Sequence, residues 1–207
     1  MTPADITESA ITIVIPAYNE AGGIAEVVER VDRVMADDPR AWELIVVDDG
    51  SADDTADRAE AAGARVVRHT TNRGYGAALK SGIRRAAHEH VVILDADCTY
   101  PPEALPELLE AGQDQDMVVG ARKKGKVHIP LIRRPAKALL RWLASYLSGY
   151  PIPDLNSGFR LMRKAVVERY VGLLPNGFSF TTTITLAMLV SGFNVRYVDI
   201  EYHKRTG

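Results

Sequence analysis

Apolar residues in this chain fall into short runs that alternate with stretches of helical spacing. Ile11 to Pro16 is apolar and β-rich, and predicts a strand. Gly22 to Met35 carries Ile24, Val27, Val28, Val31, Val34 and Met35 on one helical face. Leu44-Ile45-Val46-Val47 predicts a second strand, followed by a helix over 52–62 with Ser51 or Asp53 as its cap. Ala64 to Val67 predicts a third strand, residues 77–88 a third helix, and Val91 to Leu94 a fourth strand. Pro101-Pro102 opens a helix over 102–111, and Met117 to Gly120 reads as another strand. Phe178 to Leu189 predicts a helix and Val195 to Ile200 a last strand. Short apolar strands alternating with helices specify an α/β fold. Its central sheet is mostly parallel, flanked by helices on both faces and joined by right-handed crossovers.

The polar positions then gain meaning from where they fall. Asp95-Ala96-Asp97 follows the fourth strand at once, and in open α/β sheets ligands bind beyond the carboxyl ends of the strands. Two carboxylates so close repel each other and call for a cation. An all-oxygen donor set suits Mg²⁺ or Mn²⁺, which keep waters and accept phosphate oxygens. Taken alone, the pair reads equally as a strand end followed by an Asp-rich turn. The first two strands also end in polar loops, Ala17-Tyr18-Asn19-Glu20 and Asp48-Asp49-Gly50-Ser51. In a parallel sheet these ends share one edge, so Tyr18, Glu20, Asp49, Asp95 and Asp97 converge on one crevice. Tyr18 can stack on a flat ring, and Asp49 can accept hydrogen bonds from a base or ribose. Asp48 to Ser51 taken alone reads rather as a turn and helix cap. Asn72-Arg73-Gly74-Tyr75-Gly76 reads as a loop whose glycines let a phosphate approach, although it matches neither a P-loop nor a dinucleotide fingerprint.

The 207 residues are 46% hydrophobic and 25% charged, an ordinary globular composition that suits one domain spanning 1–207. A net charge of −2 gives no reason to expect nucleic acid as a partner. Cys98 is the single cysteine, so no internal disulfide forms, which fits a reducing compartment. No signal peptide is expected from the N-terminal residues, and no apolar run reaches the roughly 18 residues of a membrane span. The loop-like ending His203 to Gly207 reads as the start of further chain.

Val14-Ile15-Pro16-Ala17-Tyr18-Asn19-Glu20, Val46-Val47-Asp48-Asp49-Gly50-Ser51, Asn72-x-Gly74-x-Gly76 and Asp95-Ala96-Asp97 together resemble the family 2 glycosyltransferases of GT-A fold. The resemblance runs over nearly the whole chain. It implies that Pro16, Ala17, Tyr18, Glu20, Val47, Asp49 and Ala96 bind a nucleotide sugar, and that Asp95 and Asp97 hold the divalent ion. Some members add a glutamine ligand two residues past the second Asp; Thr99 stands there, with water as its substitute. Asp154-Leu155-Asn156-Ser157-Gly158-Phe159-Arg160 and Glu201 to Gly207 resemble the polyprenyl-phosphate (dolichol-phosphate type) hexose synthases within the family. That subgroup implies a basic loop with Arg205 over the donor diphosphate.

A first half, about 11–120, would then bind the nucleotide sugar, and a second, about 121–207, the acceptor. The stretch from Arg122 to Lys137 is basic, and residues 135–149 carry Leu139, Leu140, Trp142, Leu143, Tyr146 and Leu147 among cations. Such a segment reads as a helix lying in a membrane interface, here the cytoplasmic face. A core-facing helix with a solvated basic face is the plainer reading. A phosphate acceptor is already anionic and needs positioning cations rather than a strong base. Arg122, with Arg133 or Arg134, suits that task because arginine presents a fixed fork to phosphate. Asp97, Arg122 and Asp154 form the expected catalytic set. The resemblance implies transfer of a hexose, from GDP-mannose or UDP-glucose, to a polyprenyl phosphate. The main rival is a family 2 enzyme with a soluble or saccharide hydroxyl acceptor, which would need Asp154 as its base. A nucleotidyltransferase would show a Gly-rich basic loop where Ala17-Tyr18-Asn19-Glu20 stands, and a non-catalytic sugar-binding module would not need Asp95 and Asp97.

Overall fold

The computed structural model describes residues 9–122, 145–146 and 149–203. The elements run β1 (Ile11–Ala17), α1 (Ile24–Met35), β2 (Trp42–Asp48), α2 (Thr55–Ala61), β3 (Arg65–Arg68), α3 (Tyr75–Arg85) and β4 (His90–Ile93). A 3-10 turn (Pro102–Ala104) leads into α4 (Leu105–Glu110) and β5 (Met117–Arg122). Then come β6 (Arg160–Arg163), α5 (Lys164–Tyr170), α6 (Phe180–Val190) and β7 (Val195–Ile200).

The strands form one sheet in the order β3-β2-β1-β4-β6-β5-β7. β6 runs against both of its neighbours, and the other pairings are parallel. Every residue of β1 is buried, because helices cover both faces; this is why its sequence is apolar except for Thr12 rather than alternating. On one face Ile11, Ile13 and Ile15 meet Ile24, Val27, Val28 and Val31 of α1. On the other, Val14, Ile45 and Ile93 meet Leu79 and Ile83 of α3, with Ile184 and Met188 of α6 in the same cluster. Registry brings the strand ends level: Val14 pairs with Ile93, Ala17 pairs with Asp48, and Leu94 N–H donates to the Val14 carbonyl at 3.1 Å.

α3 lies on the sheet at its closest through Gly82, where a Cβ would stand 2.3 Å from Val14 Cγ1 and 3.1 Å from Val47 Cγ2. Alanine gains about 1 kcal/mol of helix propensity over glycine. Val14 is stiff about χ1 and cannot swing away, so overpacking outweighs that gain. Gly82→Ala is expected to lose roughly 1–2 kcal/mol, read as a lower denaturation midpoint with an unchanged slope.

The alternation of strands and helices agrees with the sequence expectation, with shifted ends: α2 starts at Thr55 rather than 52, and α3 spans Tyr75–Arg85 rather than 77–88. Two elements were not expected, β6 and α5. β6 begins at Arg160 and ends at Arg163, so it lacks an apolar signature. Arg160 is nonetheless fully buried. Its guanidinium donates to the carbonyls of Ser157 (2.7 Å) and Leu155 (2.8 Å) and to Thr185 Oγ1 (2.6 Å). The expected amphipathic segment 135–149 lies outside the described residues except for Ser145, Tyr146 and Gly149.

Candidate active site

The loops after β1 and β2 are laced together. Asn19 N donates to Ser51 Oγ (2.9 Å), and Ala52 N donates back to Asn19 Oδ1 (2.9 Å). Glu20 N donates to Thr55 Oγ1 (2.8 Å), and Ala21 N to Asp53 Oδ2 (3.2 Å). Asp48 accepts from Ser51 N at 3.2 Å and so serves the turn, whereas Asp49 faces a cleft.

That cleft, of about 820 Å³, opens at the carboxyl edge of the sheet. Pro16, Ala17, Tyr18, Glu20, Asp49, Asp95, Ala96 and Asp97 line it, so most of the expected nucleotide and metal residues meet in one place. Asn72, Gly74, Tyr75, Asn156, Phe178 and Thr182 are among the residues that line the rest of it. Val47 does not face it: its side chain is buried in the core beneath α3, leaving only backbone for a ligand.

Asp49 is buried and held from three directions. Its Oδ1 accepts from Arg73 N (3.0 Å), and its Oδ2 accepts from Gly74 N (2.7 Å). His69 Nδ1 lies 2.6 Å from the same Oδ1, and His69 Nε2 lies 2.8 Å from Ser81 Oγ. Gly74 lines the cleft, as a loop open to phosphate would, and the glycines of the Asn72–Gly76 stretch have a second task. A Cβ on Gly74 would stand 2.6 Å from the Asn176 carbonyl oxygen, and one on Gly76 would stand 2.3 Å from that of Pro175. They seat the protein's own turn at 175–177, which Ala77 N joins through the Asn176 carbonyl (3.1 Å).

Asp95 and Asp97 stand side by side past β4. Tyr75 donates its hydroxyl to Asp95 Oδ1 at 2.8 Å. Loss of water around Asp95 pushes its carboxyl up to about 6; the Tyr75 hydrogen bond opposes this, and the Asp97 charge adds to it. Thr99 is turned to Asp97, donating to its Oδ1 from Oγ1 (2.6 Å) and from N (3.2 Å). Thr99 is buried and does not line the cleft, so it orients Asp97 rather than presenting a ligand. Among the described residues no cluster of three or more His, Cys, Asp or Glu side chains is placed to hold a metal. Two carboxylates on a polar cleft floor fit an ion that completes its shell with water and a ligand's phosphate oxygens, as Mg²⁺ and Mn²⁺ do.

Arg122 and Asp154, expected to act separately, form a bidentate ion pair. Arg122 Nε lies 2.7 Å from Asp154 Oδ2, and Nη2 lies 2.8 Å from Oδ1. The guanidinium also lies over the Tyr202 ring, 5.3 Å from its centroid. Burial pushes the Asp154 carboxyl up, but the Arg122 hydrogen bonds and charge outweigh it and hold the group below the usual carboxylate range. Arg133, Arg134 and Arg205 lie outside the described residues.

A mostly parallel sheet with acidic loops gathered at its carboxyl edge is the GT-A type of glycosyltransferase domain. Residues 12–171 match the family described as Glycosyl transferase family 2, and the chain belongs to it. It is 34% identical over 205 residues to a dolichyl-phosphate hexose transferase of Haloferax volcanii, covering 98% of this chain and 87% of that one. It is 32% identical over 202 residues to a dolichol-phosphate mannosyltransferase of Pyrococcus furiosus, covering 93% and 55%. An undecaprenyl-phosphate 4-deoxy-4-formamido-L-arabinose transferase of Klebsiella pneumoniae is 31% identical over 164 residues, covering 76% and 50%. The chain thus spans about half the length of several of the curated relatives it matches. Among solved structures, glucosyl-3-phosphoglycerate synthase from Mycobacterium tuberculosis with Mg²⁺ and UDP gives a TM-score of 0.78 at 22% identity, covering 96% and 72%. The same enzyme with Mn²⁺, UDP and glucosyl-3-phosphoglycerate gives 0.76 at 24%. At that identity the likeness speaks for the fold. Among the described residues no helix is long and apolar enough to cross a membrane.

Proposed function

We propose that the chain transfers a hexose from a nucleoside diphosphate sugar, GDP-mannose or UDP-glucose, to a polyprenyl phosphate, with inversion at the anomeric carbon. The names of the Haloferax and Pyrococcus relatives support this acceptor class. The observation that carries the reading is the Arg122–Asp154 pair. It ties up the carboxylate that a hydroxyl acceptor would need as its base, and it lowers that group's basicity. A phosphate acceptor arrives as an anion and needs no such base.

In this reading Pro16, Ala17, Tyr18, Glu20, Asp49 and Ala96 bind the nucleoside end of the donor, with Val47 contributing backbone. Asp95 and Asp97 hold Mg²⁺ or Mn²⁺, which when bound offsets the charge of the leaving diphosphate. Thr99 keeps Asp97 turned to the cleft. Arg122, with Arg133 or Arg134, would hold the acceptor phosphate, and Asp154 fixes the plane of the Arg122 fork. Arg205 belongs to the diphosphate side. The first half, about 11–120, serves the donor and the second the acceptor, with 135–149 lying on the cytoplasmic face of the membrane. The structure neighbours crystallised with UDP and Mg²⁺ or Mn²⁺ support the divalent ion.

A glycolipid assay with Mn²⁺, each sugar nucleotide and a short polyprenyl phosphate tests the reaction. Two variants separate the acceptor classes. Arg122→Ala is expected to raise the KM for polyprenyl phosphate roughly tenfold or more, the worth of a charge-assisted hydrogen bond, and to leave the Kd for nucleoside diphosphate unchanged. Asp154→Asn keeps the shape and is expected to lower kcat less than about 10²-fold, whereas loss of a general base costs about 10²–10⁴-fold. A loss in that upper range, with transfer to a sugar hydroxyl in the unaltered protein, would replace this reading with the hydroxyl-acceptor one.

A further inference from the structure

Resting on the reading that Asp95 and Asp97 hold a divalent ion, we propose that Tyr75 is a positioning residue that fixes the rotation of the Asp95 carboxylate. Phe178 in turn fixes Tyr75, so the turn at 175–178 is mechanically tied to the metal-binding pair.

A carboxylate has a broad, nearly two-fold torsion about its terminal bond, so an Asp with a single neighbour does not present its oxygens in one orientation. Asp95 is confined from two sides. Tyr75 Oη holds Oδ1 at 2.8 Å. On the opposite strand connection, Gly158 comes so near that a Cβ there would stand 2.0 Å from Oδ2. Gly158 limits where the group sits, and the phenol selects how it is turned.

The phenol is itself held. The Tyr75 ring stacks on Phe178, with centroids 5.3 Å apart and 21° between planes. Phe178 is 82% exposed, so burial does not explain its place; the contact with Tyr75 gives it one. The turn that carries Phe178 is seated on both residues that flank Tyr75, since Gly74 and Gly76 admit the backbone of Pro175 and Asn176 where no side chain would fit. Lys80 Nζ adds a hydrogen bond to the Leu174 carbonyl at 3.0 Å. All three residues, Asp95, Tyr75 and Phe178, line the cleft. A displacement of the turn is therefore passed to the Tyr75 ring and from its hydroxyl to Asp95.

Partners that orient metal ligands typically cost about 10–100-fold in metal affinity when removed. Tyr75→Phe deletes only the hydroxyl and keeps the ring stack. The test is Mn²⁺ binding followed by electron paramagnetic resonance, with GDP and with UDP present, alongside thermal unfolding without Mn²⁺. Tyr75→Phe is expected to weaken Mn²⁺ binding roughly tenfold or more with little change in unfolding temperature. Phe178→Ala is expected to weaken it about two- to tenfold, the worth of one aromatic pair, and Phe178→Tyr to restore it. Since Phe178 is exposed, its variants test the link even if Tyr75→Phe folds poorly. If Tyr75→Phe binds Mn²⁺ as the unaltered protein does, the inference fails alone. If Phe178→Ala does so, the second link fails. If the unaltered protein binds no Mn²⁺ with either nucleotide, the reading of the site fails and takes the inference with it.

Discussion

Replacing Asp97 with alanine is expected to abolish turnover while leaving the fold in place. The described contacts of its carboxylate are local, to Thr99 N and Oγ1, so no distant element depends on it. Its charge is also one of the influences that push the Asp95 carboxyl up to about 6. Removing Asp97 relieves that repulsion, and the ion-free protein should unfold at the same temperature or slightly higher. Under the proposed function the ion is then held by one carboxylate instead of two, and is expected to be lost. A bound metal supplies several kcal/mol of charge stabilisation, so the rate is expected to fall roughly 10²–10⁴-fold. Asp97→Asn separates charge from shape and should behave like the alanine variant. The pH response has a defined sign. A carboxyl raised on folding holds more protons in the folded than in the unfolded state between its ordinary range and about 6. The ion-free protein therefore loses stability as pH rises through that window. Mn²⁺ affinity weakens as pH falls below about 6, because the proton competes for the same oxygens. Glycolipid formation, Mn²⁺ titration and thermal unfolding of the two variants check this together. Activity within about threefold of the unaltered protein would remove Asp97 from the metal site.

What was legible in the sequence is what depends on neighbours in the chain. β1, β2 and β4 announce themselves because their centres are buried on both faces, which leaves the apolar runs Ile13–Ile15, Leu44–Val47 and Val91–Ile93. Asp95 and Asp97 are legible because a strand end and its loop are contiguous. β6 was not legible, because the guanidinium of Arg160 is made tolerable in the interior by carbonyls of its own preceding loop and by Thr185 from α6. Burial of that arginine is a tertiary fact with no local signature. Gly74 and Gly76 were read as room for a phosphate, and their close approach to the backbone at Pro175 and Asn176, about a hundred residues later, had no local sign. For the same reason His69, Tyr75, Asn156 and Phe178 were missed as parts of the site. An aromatic residue between two glycines is the one hint Tyr75 offered. Arg122 and Asp154 were both singled out, but their pairing crosses thirty-two positions and only the folded chain joins them.

Gly158→Ala, a change of one methyl group, is expected to disable the site nearly as thoroughly as loss of a carboxylate. The new Cβ would lie 2.0 Å from Asp95 Oδ2, 2.3 Å from Cγ and 2.4 Å from Oδ1, inside any real contact distance. Neither partner can retreat. Gly158 N donates to Tyr100 Oη at 3.0 Å, and its neighbours Ser157 and Phe159 are fully buried. Ser157 Oγ is anchored to the Gly120 carbonyl at 2.6 Å, which ties this backbone to β5. On the other side Tyr75 restrains the carboxylate. Overpacking of this kind costs about 1–3 kcal/mol, which in a chain of this size lowers the unfolding temperature by roughly 2–12 °C. Because the strain falls on a carboxylate that the proposed function gives to the ion, Mn²⁺ affinity and transfer are expected to fall about 10²-fold as well. The double variant Gly158→Ala, Asp95→Ala distinguishes crowding at Asp95 from general damage. Removing the carboxylate gives the methyl group room, so the unfolding temperature should recover while activity stays lost, a coupling that independent sites do not show. A Gly158→Ala protein that binds Mn²⁺ as tightly as the unaltered one would mean that Asp95 is free to move, and the slot between Gly158 and Tyr75 would have no role in holding the ion.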